Sequence, residues 1–440
     1  MKTKIRIGAG AGFSGDRIEP AILLAKEAKL DYLVLECLAE RTIALAQQRK
    51  LADPKLGYDP LLLRRIEPLL PILVSNNITL ITNMGAANPL AAAQKIQELA
   101  QSLHLNIKIA AVSGDDVLDK IQPKKNQFTV LETGENLASY SLLSANAYLG
   151  VDGILDALNS KAQIIITGRV ADPSLFLAPM IYEFGWNEKD LLGAGTIVGH
   201  LLECAGQLTG GYFGDTDLKK IAHLSELGFP YAEVFNNGDA IFKKVNGTGG
   251  ALTLATVKEQ LLYEVINPSA YITPDIIADF THVSLTQNGE NEISVTGGKG
   301  LDKPNTFKVS VGYHAGFVGE GEISYAGNNA LSRAQLAGQI ISERIESFTE
   351  EVRIDYIGWD SVHRKNFRPE HEPYEVRLRV AAKTSTLEDA QRVGEEVEAL
   401  YTNGPAGGGG VRKYAQSQLG IISILLPRAE CAHVVTFLES

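Results

Sequence analysis

The hydrophobic pattern of the first 180 residues alternates between short apolar runs and longer segments with helical periodicity. Strands are predicted at 4–8, 32–36, 78–82, 107–112 and 164–167. Helices are predicted at 16–29, 39–50 and 59–76, the last broken by Pro68 and Pro71, and from the turn at 83–89 to Leu103. Strands that alternate with helices favour parallel pairing with right-handed crossovers. The N-terminal half is therefore predicted to be α/β, a parallel sheet with helices on both faces.

The closure of this sheet is left with two alternatives. An open sheet is favoured, because only about five or six strand–helix units precede a change of pattern. Barrel-like closure that uses later segments is the other form. In both, the loops that follow the strands form the functional edge.

The pattern changes near Gly210 to short strand candidates separated by Gly, Asn and Asp turns. These candidates are 232–245, 281–285, 292–296 and 307–312, with one helix at 257–265. A helix near 331–347 is followed by a strand at 374–381, a helix at 387–401 and a strand at 420–426. The sequence thus predicts a β-rich, α+β C-terminal half. The predicted domains are 1–210 (α/β, with a strand-end site), 211–345 (β-rich) and 346–440 (small α+β).

Charge and composition disfavour several functional classes of protein. A formal net charge of −11 and the lack of a long basic run disfavour nucleic-acid binding. Three widely spaced cysteines do not form a disulfide framework or a Cys-rich metal site. No apolar run reaches the roughly 20 residues of a membrane helix, and Arg6 with the glycines interrupts the N-terminal apolar stretch that a signal peptide needs. We therefore expect a cytoplasmic protein without a membrane partner, with a homo-oligomer as the default for its size.

The first motif is a glycine loop between a strand and a helix. Gly10, Gly12 and Gly15 fit the G-x-G-x-x-G pattern, and Glu36 ends the next strand, as in a dinucleotide-binding fingerprint. Asp16 and Glu19, however, stand where a phosphate would need the helix N-terminus. Two alternatives remain: a tight turn capped by Asp16, or a catalytic or anion-binding loop without a dinucleotide.

Polar residues follow several of the predicted strands. Glu36, Asn83, Asp115 and Arg169 each come directly after an apolar run. Because neighbouring parallel strands lie about 4.8 Å apart, residues at their carboxyl ends can converge on one cleft. Carboxylates with an arginine suit a polar substrate, with proton transfer by Asp115 or Glu36 and a carboxylate clamp by Arg169. Taken singly, each is also explained as a helix cap or a loop hydrogen bond.

The segment 167–174, TGRVADPS, contains two polar residues for which we predict different roles. Asp172 before Pro173 fits an N-cap with proline at the first helical position, a structural role. Arg169 has no such local duty and is the first candidate for ligand binding.

His200 and Glu203 are spaced i, i+3 on a helix predicted at 196–208. They are weak candidates for a metal pair or an acid–base pair, and a half-buried structural histidine is the simpler interpretation. No metal is predicted.

A second glycine-rich segment, 403–410, precedes Arg412 and Lys413. Consecutive backbone N–H groups at Gly407 and Gly408, with Arg412, could bind the phosphates of a nucleotide or of coenzyme A. The alternative is a mobile linker.

Six segments of the sequence resemble a known family. They are GAGAGFSGDR (8–17), ITNMGAANP (81–89), SANAYLG (144–150), TGRVADPSL (167–175), VKEQLLYEV (257–265) with YITPD (271–275), and NGPAGGGG (403–410). Together they resemble the acyclic terpene utilisation AtuA-like family along nearly the whole chain. The resemblance implies a link with the breakdown of citronellol- and geraniol-type compounds through acyl-CoA intermediates, in a family whose reaction is not established. The positions that match it are Asp16, Arg17, Asn83, Asn146, Arg169 and Asp172.

These observations predict an enzyme that acts on a small carboxylate or its coenzyme A thioester, as a hydratase or lyase. Asp115, Glu36, Arg169 and Asp16 are the catalytic candidates, and the cofactor is not defined. One alternative is a nucleotide-dependent oxidoreductase built on the glycine loop, although NAD is disfavoured by the acidic helix start. The other is a non-catalytic subunit of an acyl-CoA enzyme system.

Overall fold

The structure is a computed structural model that describes residues 2–364 and 371–440. The chain divides into two compact units: the residues up to Gly312 together with Ile421–Ser440, and Tyr313–Gly420. The division predicted from sequence, at 210/211 and 345/346, is a different one and stays a prediction. Within the described ranges, none of the helices combines the length and the apolar character needed to cross a membrane.

In the described part of the chain, eighteen strands and eleven α-helices have the following bounds in chain order. The strands are β1 (Lys4–Ala11), β2 (Tyr32–Leu35), β3 (Thr79–Thr82), β4 (Lys108–Ser113), β5 (Leu142–Ala147), β6 (Ile164–Thr167), β7 (Pro230–Phe235), β8 (Ala240–Lys244), β9 (Tyr271–Ile272), β10 (Ile277–Asp279), β11 (Ser284–Gly289), β12 (Glu292–Thr296), β13 (Lys299–Gly300), β14 (Thr306–Ala326), β15 (Glu351–Ile357), β16 (Glu375–Thr384), β17 (Gly409–Pro427) and β18 (Val434–Glu439). The helices are α1 (Glu19–Glu27), α2 (Glu40–Ala52), α3 (Leu62–Ser75), α4 (Pro89–Ser102), α5 (Leu118–Ile121), α6 (Asp152–Asn159), α7 (Asp172–Phe184), α8 (Lys189–Glu203), α9 (Leu254–Leu262), α10 (Ala330–Ile345) and α11 (Leu387–Asn403).

A ten-stranded mixed sheet forms the centre of the first unit, in the order β11-β12-β8-β7-β1-β2-β3-β6-β4-β18. The five strands β1, β2, β3, β6 and β4 are parallel, as the alternation of strands and helices predicted. Antiparallel strands are added at both sides, β7 on β1 and β18 on β4. The sheet is open, so the favoured alternative is confirmed. Four strands from the β-rich later segment, β7, β8, β11 and β12, extend this same sheet.

Helices cover the parallel strands. Every residue of β2 and of β6 is buried, which requires cover on both faces of the sheet. The helices α1, α3 and α4 contact one another in sequence, with α1 on β1 and α4 on β4. A second series, α6, α7 and α8, packs together, and α7 contacts β1 and β2. The predicted α/β class with helices on both faces is confirmed.

Helix α3 corrects one expectation from the sequence. Pro68 and Pro71 were expected to break it, yet both lie inside a continuous helix. Both prolines are on the exposed face, whereas Leu69, Leu70 and Leu73 are buried. A proline on the solvent side removes one backbone hydrogen bond, and burial of the apolar stripe offsets that cost.

The second unit is α+β, in agreement with the predicted C-terminal half. Its strands pair in the order β15-β16-β14-β17, with β16 antiparallel to both neighbours. One apolar core joins alternate residues of β14 and β16 to helices α10 and α11. The predicted strand–helix–strand order at its end is observed as β16, α11 and β17.

Candidate active site

The carboxyl ends of the five parallel strands bring the predicted polar residues to one edge of the sheet. In sheet order, β1 leads into the Asp16 loop, β2 into Glu36, β3 into Asn83, β6 into Arg169 and β4 into Asp115. Parallel pairing in register is what places them on neighbouring strand ends. The side chains form two hydrogen-bonded groups.

The first group joins Glu36 and Asn83. The Nδ2 of Asn83 and the backbone N–H of Leu38 both donate to Oε1 of Glu36, each at 2.8 Å. The Oδ1 of Asn83 accepts from the backbone N–H of Cys37 at 2.7 Å. Asn83 therefore fixes both the Glu36 carboxylate and the chain that follows β2.

The second group is centred on Asp115. Its Oδ2 accepts from Nδ2 of Asn146 at 2.8 Å and from the backbone N–H of Arg169 at 3.0 Å. Gly168 makes room for this carboxylate, because a Cβ there would lie 2.3 Å from Oδ1 of Asp115. Burial raises the pKa of Asp115 to about 6, although its hydrogen bonds oppose the rise. Asp115, in the loop after β4, therefore bonds to β5 and to the loop after β6.

Arg169 is almost fully buried, with 1% of its surface exposed. Its guanidinium donates to the backbone oxygens of Val170 and Leu38 and to the carboxylate of Asp172. The guanidinium carbon also lies 4.4 Å from the ring centroid of Tyr148. Arg169 thus has local duties that the sequence did not show, and most of its donors are used within the protein. Its predicted role as a carboxylate clamp stays a prediction.

Asp172 does not cap helix α7, contrary to the interpretation from sequence. Ala171 is the N-cap, Asp172 is the first helical residue, and no side chain caps the helix. The Asp172 carboxylate instead bonds to the Arg169 guanidinium, a charge-assisted contact between two ionisable groups. About a third of its side chain, 36%, remains exposed.

Glu36 and Asp172 compete for the positive charge of Arg169. Burial and the negative charge of Asp172 raise the pKa of Glu36 well above its usual range, against the effect of Arg169. Burial also raises the pKa of Asp172, again opposed by Arg169. Because one guanidinium balances only one carboxylate, the negative charge of Asp172 disfavours ionisation of Glu36.

Asp172 lines a cavity of about 320 Å³. Tyr148, Tyr271 and Lys308 are further polar groups in its wall, and most of the remaining lining is apolar. The hydroxyl of Tyr148 donates to Glu40 at 2.5 Å, and Nζ of Lys308 lies 3.3 Å from the same carboxylate oxygen. Burial opposes ionisation of Glu40, but the bond from Tyr148 and the charge of Lys308 bring its pKa down to about 2.

Sequence reasoning missed these cavity residues. Tyr148 and Tyr271 do lie within the motifs SANAYLG and YITPD, so a signal was present. Neither follows an apolar run of the predicted parallel sheet, which is why the strand-end rule did not select them. Lys308 lies on β14 and has no comparable signal in the sequence.

The glycine loop after β1 is engaged with its own protein. The Asp16 carboxylate accepts from the backbone N–H groups of Gly12 and Arg17, each at 2.9 Å. A Cβ on Gly12 would lie 2.5 Å from the carbonyl carbon of Cys204, so its glycine is needed for close packing. Helix α1 begins only at Glu19. The hypothesis of a nucleotide on this loop stays untested, but at least one N–H group that a phosphate would need already has a partner.

The other residues of this loop have structural contacts. A Cβ on Gly10 would lie 2.6 Å from the side chain of Leu35, and one on Gly15 would lie 2.7 Å from Phe13. Arg17 donates to the backbone oxygens of Leu224 and Ser225 at 2.8 and 3.0 Å.

His200 and Glu203 lie on the last turn of α8, which ends before the predicted residue 208. His200 Nδ1 is 3.0 Å from Oε1 of Glu203, and Nε2 is 3.0 Å from the backbone oxygen of Gln260. Both ring nitrogens are therefore engaged. Among the described residues, no group of three or more His, Cys, Asp or Glu side chains is arranged to hold a metal ion.

Gly407, Gly408 and Arg412 belong to the second unit. Gly407 has a positive φ of 79°, in the turn between α11 and β17. Arg333 donates to the backbone oxygen of Ala406 at 2.7 Å, which holds this turn on α10. The predicted phosphate-binding role of this segment stays a prediction.

Comparison with known proteins agrees with the motifs. The family described as acyclic terpene utilisation family protein AtuA matches residues 5–437. The chain belongs to the AtuA family. No curated protein and no solved structure matches it.

Proposed function

We propose that this AtuA family protein is a cytoplasmic enzyme that performs acid–base chemistry of the hydratase or lyase type. Its substrate would be a small carboxylate or the corresponding coenzyme A thioester, in the breakdown of acyclic terpenes or branched acids. The observation that carries the proposal is the pair of carboxyl groups, Glu36 and Asp172, that share Arg169 beside a cavity.

This pair would retain one proton between its two carboxyl groups, which suits reactions that need an acid and a base in turn. Asp172 lines the cavity and would exchange a proton with the substrate. Glu36 is buried, with 7% of its surface exposed, and would hold the proton between steps. Arg169 would position Asp172 and balance its charge.

The cavity suggests how the substrate would be oriented. Lys308 is about half exposed, with 45% of its side-chain surface free, so it can reach a ligand more easily than Arg169. Its charge would hold a carboxylate or a thioester oxygen at the end of the cavity that contains Tyr148. At about 320 Å³, the cavity suits a short acyl group and would leave the bulk of a coenzyme A outside.

The test is a solvent-exchange assay with a panel of saturated, unsaturated and hydroxylated acyl-CoA thioesters and free acids. In deuterated water, a proton-transferring enzyme should introduce deuterium next to the carbonyl, or add or remove water, and mass spectrometry detects either change. Asp172→Asn should abolish the reaction, because an amide cannot take up the proton. Asp119→Asn, an exposed acid on α5, is the matched control and should leave the rate unchanged.

Reaction by Asp172→Asn at the wild-type rate would show that the acid pair is not the active centre. If the whole panel is returned without deuterium or a change in hydration, the proposed reaction class is wrong.

A further inference from the structure

Both ring nitrogens of His200 have an oxygen atom at hydrogen-bond distance. Nε2 is 3.0 Å from the backbone oxygen of Gln260, and Nδ1 is 3.0 Å from Oε1 of Glu203. A carbonyl oxygen only accepts, so Nε2 must carry a hydrogen. Two bare acceptors would repel each other at the Nδ1–Oε1 distance. One proton must therefore lie between His200 and Glu203, on the imidazole or on the carboxyl.

The surroundings favour the carboxyl. Glu203 is largely buried, with 12% of its side chain exposed, and its Oε2 has no partner among the described residues. An ionised carboxylate would suffer more from this unpartnered oxygen than a neutral carboxyl group. Burial raises the pKa of Glu203 to about 7, against the effect of His200.

The charges nearby act in the same direction. Asp172 and Glu264 both disfavour a negative charge on Glu203. The other titratable groups beside Glu203 are Tyr271 and Cys204, and burial raises the pKa of each. Neither supplies a positive charge at neutral pH.

The pair adjoins the wall of the cavity that Asp172 lines. The imidazole of His200 packs against the ring of Tyr271, with centroids 5.2 Å apart, and against Phe280 at 5.4 Å. Tyr271 in turn lines the cavity together with Asp172. A change of charge at Asp172 is therefore felt at Glu203.

We propose that His200 and Glu203 hold one shared proton, placed on Glu203 and not on the imidazole, and act as positioning residues of the acid–base site. Nδ1 of His200 accepts the hydrogen bond from the Glu203 carboxyl, and Glu203 holds this proton more strongly when Asp172 is ionised. The pair thereby limits the negative charge that an anionic ligand meets in the cavity. This catalytic role rests on the proposed function, whereas the shared proton does not.

The experiment is nuclear magnetic resonance of the full chain labelled with ¹⁵N in its histidines, over a pH range of about 5 to 9. The His200 signals are those absent from a His200→Asn variant. We expect a neutral ring with hydrogen on Nε2 at neutral pH, and a change in the Nδ1 shift when Glu203 loses its proton. Glu203→Gln should keep the same tautomer, because the amide donates to Nδ1, and should abolish that pH-dependent change.

Asp172→Asn tests the coupling to the cavity. Removal of this negative charge should move the midpoint of the Nδ1 change to lower pH, by roughly half a unit or more, whereas Asp119→Asn should leave it in place. An imidazolium on His200 at neutral pH, or an unmoved midpoint in Asp172→Asn, would overturn the proposal. Neither readout needs a substrate, so failure of the exchange assay alone would reject the proposed reaction and leave the shared proton standing.

Discussion

Two loops at the carboxyl ends of the parallel strands are each held by a buried arginine, and the two loops differ in their contacts. Arg65 lies under the loop after β1 and donates to the backbone oxygens of Ser14, Asp16 and Arg17. Arg169 holds the loop after β6 through the backbone oxygens of Leu38 and Val170, but it also binds the carboxylate of Asp172. Each arginine has only 1% of its surface exposed.

The difference lies in where the neighbouring carboxylate is directed. Asp16 turns back on its own loop and accepts from Gly12 and Arg17. Asp172 stays partly exposed and lines a cavity. The loop with the more familiar glycine motif has thus used its donors and acceptors to build structure, whereas the less conspicuous loop keeps a titratable group available for a ligand.

The largest effect that we expect comes from Arg169→Met. The substitution keeps the apolar stem but removes the donors to Leu38 and Val170 and leaves Asp172 without its cation. Each of these two buried backbone oxygens that is left without a donor costs about 1–3 kcal/mol, and denaturant unfolding measures the total. Without the guanidinium, the pKa of Asp172 should also rise further. A variant as stable as the wild type would show that Arg169 is a replaceable ligand clamp, as the sequence alone suggested.

Gly12→Ala tests the structural view of the glycine loop. The new Cβ would lie 2.5 Å from the carbonyl carbon of Cys204 and 2.7 Å from its oxygen. Backbone atoms cannot move aside as a side chain can, so we expect a loss of about 3 kcal/mol in unfolding free energy. Gly289→Ala is the control, since no atom lies within 4 Å of its Cβ position, and it should change stability by no more than about 0.5 kcal/mol. A stable Gly12→Ala protein would reopen the loop as a ligand site.

These contrasts show which features of the structure could be predicted from the sequence. The alternation of apolar runs and helical periods predicted the parallel strands and placed Glu36, Asn83, Asp115 and Arg169 on one edge. Local sequence patterns do not predict hydrogen-bond partners that are distant in the chain, such as the backbone oxygen of Leu38 for Arg169. Nor could they show that β18, from the end of the chain, pairs with β4.

The direction of side chains was also beyond the sequence. Asp16 and Asp172 each stand at or before the start of a helix, and the capping role was assigned to both. Only the structure shows that Asp172 bonds to a guanidinium and that Asp16 accepts from two backbone N–H groups. The same local sequence pattern therefore corresponds to two different sets of contacts.

A smaller effect concerns Asp115 and the pH dependence of stability. Its pKa rises from 3.8 to about 6 on folding, so the folded state binds more protons than the unfolded chain between these values. Stability from this group is therefore lost as the pH rises through that window, by up to about 3 kcal/mol. Asp115→Asn cannot titrate, so its stability relative to the wild type should increase between pH 4 and pH 7 in urea unfolding. A constant difference over that range would mean that Asp115 is ionised throughout.

The smallest change in stability should come from Asp172→Asn. This variant tests whether the carboxyl group of Asp172, in the loop after β6, affects proton binding without affecting folding. An amide oxygen can still accept a hydrogen bond from Arg169, and a side chain that is 36% exposed carries little of the folding energy. We expect a change below about 1 kcal/mol in thermal or denaturant unfolding. Burial and the charge of Asp172 both raise the pKa of Glu36, so loss of that charge should lower the pKa of Glu36 toward its usual range. A ¹³C-detected carboxyl titration measures this shift directly, with Asp119→Asn as the control. If Glu36 titrates identically in both variants, the two acids are independent, and the contrast between a closed structural loop and an open chemical one would rest on the cavity alone.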